Sequence, residues 1–215
     1  MGATLASLDS VDVVVIGADS HAGRSAALAC AAAGACLWAI SLNPAGLHQT
    51  VDDVVRAGGK VDFRVCDLTD ESELRSLVLD LRAKTPRLQV IIDATGLDFP
   101  RAVLFEGFRR TLAEAGGSVV VLRAQGQRGS SFGDLDQDPR TPVPIHEVFA
   151  RHDGEWGEAL AADAVVFLTR VRGGAYRYPF DATSLGRSVS EIGPEAVLSQ
   201  LGAGASPHFL DPDPT

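Results

Sequence analysis

The chain has 215 residues, 46% apolar and 22% charged, the balance of a soluble globular chain long enough for one sizeable domain. That composition excludes wholesale disorder, collagen-like repeats and a coiled-coil rod. A net charge of −9 opposes a nucleic-acid backbone, so no nucleic-acid partner is expected.

Lys60 and Lys84 are the only lysines among nineteen basic residues, an Ala/Arg-rich bias of the kind GC-rich bacterial genomes produce. Cys30, Cys36 and Cys66 lie in apolar segments without metal-ligand spacing and read as small hydrophobes, so no metal is expected. The first ten residues hold neither a basic nor an apolar leader region, and the stretch from Ala26 to Ile40 is too short to span a bilayer. A cytoplasmic chain without a membrane partner is expected.

In chain order, Val11 to Ile16 is a β-branched run ending at Gly17, as in a buried parallel strand. Arg24 to Ala33 is rich in helix formers and closes at Gly34; Cys36 to Ile40 follows as a second strand. Leu47, Val51, Val54 and Val55 give Ala45 to Ala57 a helical stripe. Val61 to Cys66 alternates as a third strand, and Thr69 is placed to cap a helix over about 71–83. Leu88 to Ala94, Ala102 to Ala115 and Ser118 to Leu122 read as strand, helix and strand.

Nearly continuous apolar strands alternating with helices predict βαβ units: an α/β, Rossmann-like, doubly wound parallel sheet with helices on both faces, shortened after the fifth strand. Ligands of such a sheet lie beyond the carboxyl ends of its strands. One domain over 1–215 is expected, with tails at 1–10 and about 186–215. Residues 124–156, rich in Gly, Asp and Pro at their start, read as a long loop over that carboxyl edge. A helix over 157–169, a strand around 175–180 and a helical piece over 194–201 complete the reading.

Several segments in this order resemble the short-chain dehydrogenase/reductase family. The run through Gly17, Ala18, Asp19, Ser20, His21, Ala22, Gly23 and Arg24 is similar to the family's T-G-x-x-x-G-I-G-R opening. The stretch from Asn43 to Leu47 resembles the start of its second helix, and that from Cys66 to Asp70 its C-D-[VL]-T-D segment. Asp93, Ala94, Thr95 and Gly96 fall on its N-N-A-G, and 158–168 with 174–181 on its closing helix and strand. The resemblance implies an NAD or NADP site that includes Ser41, Asp67, Leu68, Ala94, Thr95 and Gly96 beside the glycine loop.

Three departures qualify what the resemblance implies. His21 replaces the glycine that lets the backbone approach the pyrophosphate, so its side chain either crowds the dinucleotide or turns outward toward phosphate. Ser41 and Leu42 stand where the family carries an acid for NAD or a base for NADP; loss of the acid tilts the expectation toward NADP. Asp67 either contacts the adenine or caps the next helix. Lastly, no serine stands at the aligned place in Val121 to Gln125 and no lysine follows Lys84, so ordinary alcohol or ketone redox by the family's Ser and Tyr-x-x-x-Lys proton exchange is not expected.

Other strings are weaker. Gly129 to Gly133 spells G-x-S-x-G but lacks the strand and helix that an elbow needs. Asp134, Asp136 and Asp138 imitate a calcium loop with Pro139 in place of its glycine. His146, His152, Tyr176 and Arg123 remain as candidates for catalysis without the usual mechanism, the histidines through acid–base work beside Glu147 or Asp153.

Three functions stay open. The first is an atypical enzyme acting on a small organic molecule, of the kind a bacterial biosynthetic pathway would use. The second is a non-catalytic NAD(P)-binding protein, as a homo-oligomer or as the inactive partner of a related active chain. The third is a scaffold acting through a protein interface.

Overall fold

The computed structural model describes residues 8–97, 99–124, 143, 145–150 and 176–179. The readings at 157–169 and 194–201, His152, the tails at 1–7 and 186–215 and the glycine-rich start of the loop lie outside them.

Seven strands form one parallel sheet in the order β3-β2-β1-β4-β5-β6-β7. They are β1 (Asp12–Ile16), β2 (Cys36–Ser41), β3 (Lys60–Val65), β4 (Leu88–Asp93), β5 (Ser118–Ala124), β6 (Ile145–Ala150) and β7 (Tyr176–Pro179). The helices are α1 (His21–Ala32), α2 (Pro44–Arg56), α3 (Glu71–Lys84) and α4 (Arg101–Ala115). Chain order reverses between β1 and β4, the switch point at which an open α/β sheet leaves a crevice beyond its carboxyl ends.

Side-chain alternation along β1 divides the core. Val13 and Val15 face α1 and α2, packing on Ala26, Ala27, Cys30, Leu47 and Val54. Val14 and Ile16 face α3 and α4, packing on Leu74, Leu77, Leu81, Phe105 and Phe108. The small residues of α1 let its backbone settle close to the sheet, whereas the other face is filled by large side chains worth about 1.5–3 kcal/mol each on burial. Cys30 and Cys66 are buried as expected and Cys36 is half-buried. Burial pushes the Cys30 thiol up to about 12 and the Cys66 thiol up to about 11, which keeps both protonated and unreactive.

Two expectations need correction. Residues 145–150 are not part of a continuous loop from 124 to 156: they form β6, in register with β5 from Val119 opposite Ile145 to Ala124 opposite Ala150. Val143 and Ile145 are buried against the α3–α4 face, and this burial outweighs the polar pair His146 and Glu147 that hides the strand's alternation. The sheet therefore continues past its fifth strand, and the strand expected near 175–180 joins it as β7. The cap of α3 is Asp70, which accepts the N–H groups of Ser72 and Glu73; Thr69 instead turns back onto Asp67.

Candidate functional site

The turn out of β1 is built on two glycines. Gly17 has φ +74°, a left-handed conformation, and a Cβ on it would sit 2.8 Å from the Thr95 nitrogen. A Cβ on Gly23 would lie 2.1 Å from the Gly17 carbonyl oxygen, so only glycine lets the first turn of α1 close over the end of the strand. Ser20 caps α1: its Oγ accepts the Gly23 N–H at 3.0 Å. The same hydroxyl lies 2.7 Å from the Gly17 carbonyl and 3.0 Å from that of Ala94, tying the β1–α1 loop to the β4–α4 loop.

Ala22 and Gly23 are buried, while His21, the first residue of α1, is exposed. Its side chain is therefore not packed into the core. The first N–H groups of a helix have no partner within it, which makes such an end receptive to an anion.

The corner beyond β2 is tied to this loop. Ser41 Oγ donates to Asp19 Oδ1 at 2.5 Å and accepts the Asn43 N–H at 3.0 Å. Thr50 on α2, absent from the sequence-derived candidates, donates to the Ala18 carbonyl at 2.8 Å. Beyond β3, Asp67 Oδ1 accepts the Thr69 hydroxyl at 2.7 Å and the Thr69 N–H at 2.9 Å. These bonds, the hydroxyl first, hold the Asp67 carboxyl below its ordinary range. Leu68 beside it is buried.

The β4 end is held differently. Asp93 is 1% exposed; its Oδ2 accepts Arg101 Nε at 2.9 Å, and Arg101 is itself 3% exposed. Asp93 Oδ1 accepts the Thr95 hydroxyl at 2.7 Å and its N–H at 3.0 Å. Arg101 also donates to the Leu97 carbonyl and stacks 4.4 Å above the Phe99 ring centre. Asp93 and Arg101 are eight residues apart, and no local pattern marks them as partners. Gly96 takes φ +59° between them.

The candidates of the second half divide. Backbone register sets His146 directly beside Tyr176, in the row that runs through Ile92 and Val120. That row stops one residue short of the β4 end at Asp93, whereas Arg123 lies near the end of β5, beside Phe149 of β6. His146 and Tyr176 are thus brought together within the strands, apart from Arg123. Among the described residues no group of three His, Cys, Asp or Glu side chains could hold a metal ion, and no helix is long and apolar enough to cross a membrane.

Residues 12–112 match the short chain dehydrogenase family. Through this segment, a little under half of its length, the chain is similar to that family. Two similar relatives show how far the likeness runs. DnrU of Streptomyces sp. (strain C5), provisionally named a daunorubicin C-13 ketoreductase, is 33% identical over 102 residues, or 46% of this chain and 36% of the relative. The 7alpha-hydroxysteroid dehydrogenase of Escherichia coli (strain K12) is 27% identical over 94 residues, 44% of this chain and 37% of the relative. The matched stretch thus spans little more than a third of either relative. A metagenomic short-chain oxidoreductase in complex with NADP superposes with a TM-score of 0.65, covering 80% of this chain and 97% of that one at 16% identity. At that identity the likeness is one of fold.

Proposed function

We propose that the chain binds a nicotinamide dinucleotide at the crevice between β1 and β4 and acts on a small organic molecule without the Ser and Tyr-x-x-x-Lys machinery. The glycine-built turn is the observation that carries this reading: a Cβ at Gly17 or Gly23 would collide with backbone, so the loop keeps the tight turn and the close helix-to-strand packing of a dinucleotide-binding loop. Gly17, Ser20, His21, Ala22 and Gly23 would hold the pyrophosphate at the end of α1. Asp19, Ser41, Asp67 and Leu68 would border the adenosine, with Ala94, Thr95 and Gly96 along the opposite wall. When bound, the dinucleotide would supply hydride exchange.

The residues between β5 and β6, 125–144, include neither Tyr nor Lys, and none of Leu122, Arg123 and Ala124 supplies the serine. A proton relay would have to come from elsewhere, with Arg123, near the β5 end, available to pair with an anionic substrate. The same composition favours a second reading, a non-catalytic NAD(P)-binding protein that assembles with itself or with an active relative. A cytoplasmic location accords with either.

Thermal unfolding with NAD⁺, NADH, NADP⁺ and NADPH tests the shared core of both readings. A ligand at about 100 times its Kd adds about 2.7 kcal/mol, a rise of roughly 5–11 °C for a chain of this size. No rise with any of the four would overturn the dinucleotide site. A rise without turnover of alcohols or ketones supports the departure from the family mechanism; NAD(P)-dependent turnover that survives Arg123→Ala and Tyr176→Phe would defeat it.

A further inference from the structure

We propose that the adenosine corner of this site selects NAD over NADP, with Asp19 supplying from the β1–α1 loop the carboxylate that accepts a ribose hydroxyl. The inference rests on the dinucleotide reading above and concerns what that site discriminates.

The absence of an acid at the end of β2 tilts the linear sequence toward NADP; the folded corner reverses the expectation. Ser41 ends β2, and its hydroxyl lies 2.5 Å from Asp19 Oδ1. A carboxylate therefore stands where the strand itself carries none, brought there from a position 22 residues earlier. It packs close to α2: a Cβ on Gly46, in the first turn of that helix, would come within 2.8 Å of the Asp19 Cβ. Oδ2 of Asp19 has no hydrogen-bond donor among the described residues and keeps its lone pairs for a hydroxyl donor.

A 2′-phosphate needs the opposite equipment, donors and positive charge. Two donors at the end of β2 are committed, the Ser41 O–H to Asp19 and the Asn43 N–H to Ser41 Oγ, which leaves only the neutral Asn43 amide beside them. Arg24, which closes the glycine fingerprint, is ion-paired with Asp53, as is Arg56. Asp67 adds a second carboxylate beyond the neighbouring strand, so a dianionic phosphate would meet like charge with no unpaired cation among these residues to offset it. A ribose hydroxyl meets an acceptor.

Isothermal titration of the full chain with NAD⁺ and NADP⁺ in low-salt buffer is the test. NAD⁺ should bind at least about tenfold tighter, and raising the salt should narrow the gap by relieving the repulsion of NADP⁺. Asp19→Asn, which keeps an oxygen for the Ser41 hydroxyl, should bring the two affinities within about threefold of each other. The salt series on the unaltered chain decides the matter should that variant fail to fold. Equal or tighter binding of NADP⁺ by the unaltered chain overturns the role of Asp19 and leaves the dinucleotide site standing. Binding of neither cofactor overturns both.

Discussion

The ends of β1 and β4 lie side by side at the same crevice, yet they are held by opposite means. Around Gly17 and Gly23 the chain is organised by what is missing: two absent Cβ atoms let a helix end close over a strand, and one serine hydroxyl ties the loops. Around Asp93 it is organised by what is buried, an ion pair with Arg101 that also gathers Thr95 and Phe99. The first arrangement bonds the N–H groups of Gly17, Ala18, Ser20 and Gly23 and leaves those of His21 and Ala22, at the start of α1, without a partner among the described residues; the second satisfies its charges internally. A ligand-facing wall and a supporting wall can thus be told apart by whether their polar groups are already spent on one another.

The largest effect should come from the supporting wall. Arg101→Met leaves the Asp93 carboxylate buried without its guanidinium and should cost about 3–5 kcal/mol in urea unfolding. Removing Asp93 as well should cost less than the single change; a double variant worse than Arg101→Met alone would show that the pair is not what holds this end. Next comes Gly23→Ala, whose methyl would press on the Gly17 carbonyl, with an expected loss of about 1–3 kcal/mol and a weakened response to NAD⁺. Stability kept within about 0.5 kcal/mol would mean that the turn relaxes and that the two ends are less different than their geometry indicates.

Ser20→Ala removes the α1 cap and the bridge to Ala94, for about 1 kcal/mol by chemical denaturation. The smallest effect concerns Asp67. The Thr69 hydroxyl lowers its folded pKa, so its contribution is fully present above the unfolded value, near 3.9, and is lost as pH falls through the folded one. Asp67→Asn should therefore lower the urea midpoint slightly at pH 7 and leave it nearly unchanged near pH 2. An equal loss at both would assign the residue a role independent of its charge.

Much of the architecture could be read along the chain. The β-branched runs of β1, β4 and β5 and the stripe of Leu74, Leu77, Val78 and Leu81 are local patterns, and the structure places them as expected. Boundaries shifted where a cap competes: Ser20 starts α1 three residues before the helix-forming run, and Asp70 displaces Thr69. β6 escaped notice because His146 and Glu147 interrupt its apolar alternation, although Ile145 is buried. The glycine turn was legible because the space it requires is written into the residue type.

The order of residues alone carried the fold class, the likeness of residues 12–112 to the short chain dehydrogenase family and the lack of any Tyr-x-x-x-Lys string, because each depends on residue types at short, regular spacing. Tertiary structure decided which side chains meet: Asp19 with Ser41, Asp93 with Arg101, His146 beside Tyr176 in adjacent strands. Charge and hydrogen bonding act over a few ångströms of space, whatever the separation along the chain. For that reason a carboxylate from the β1–α1 loop can stand beside the end of β2, and only folding shows that contact.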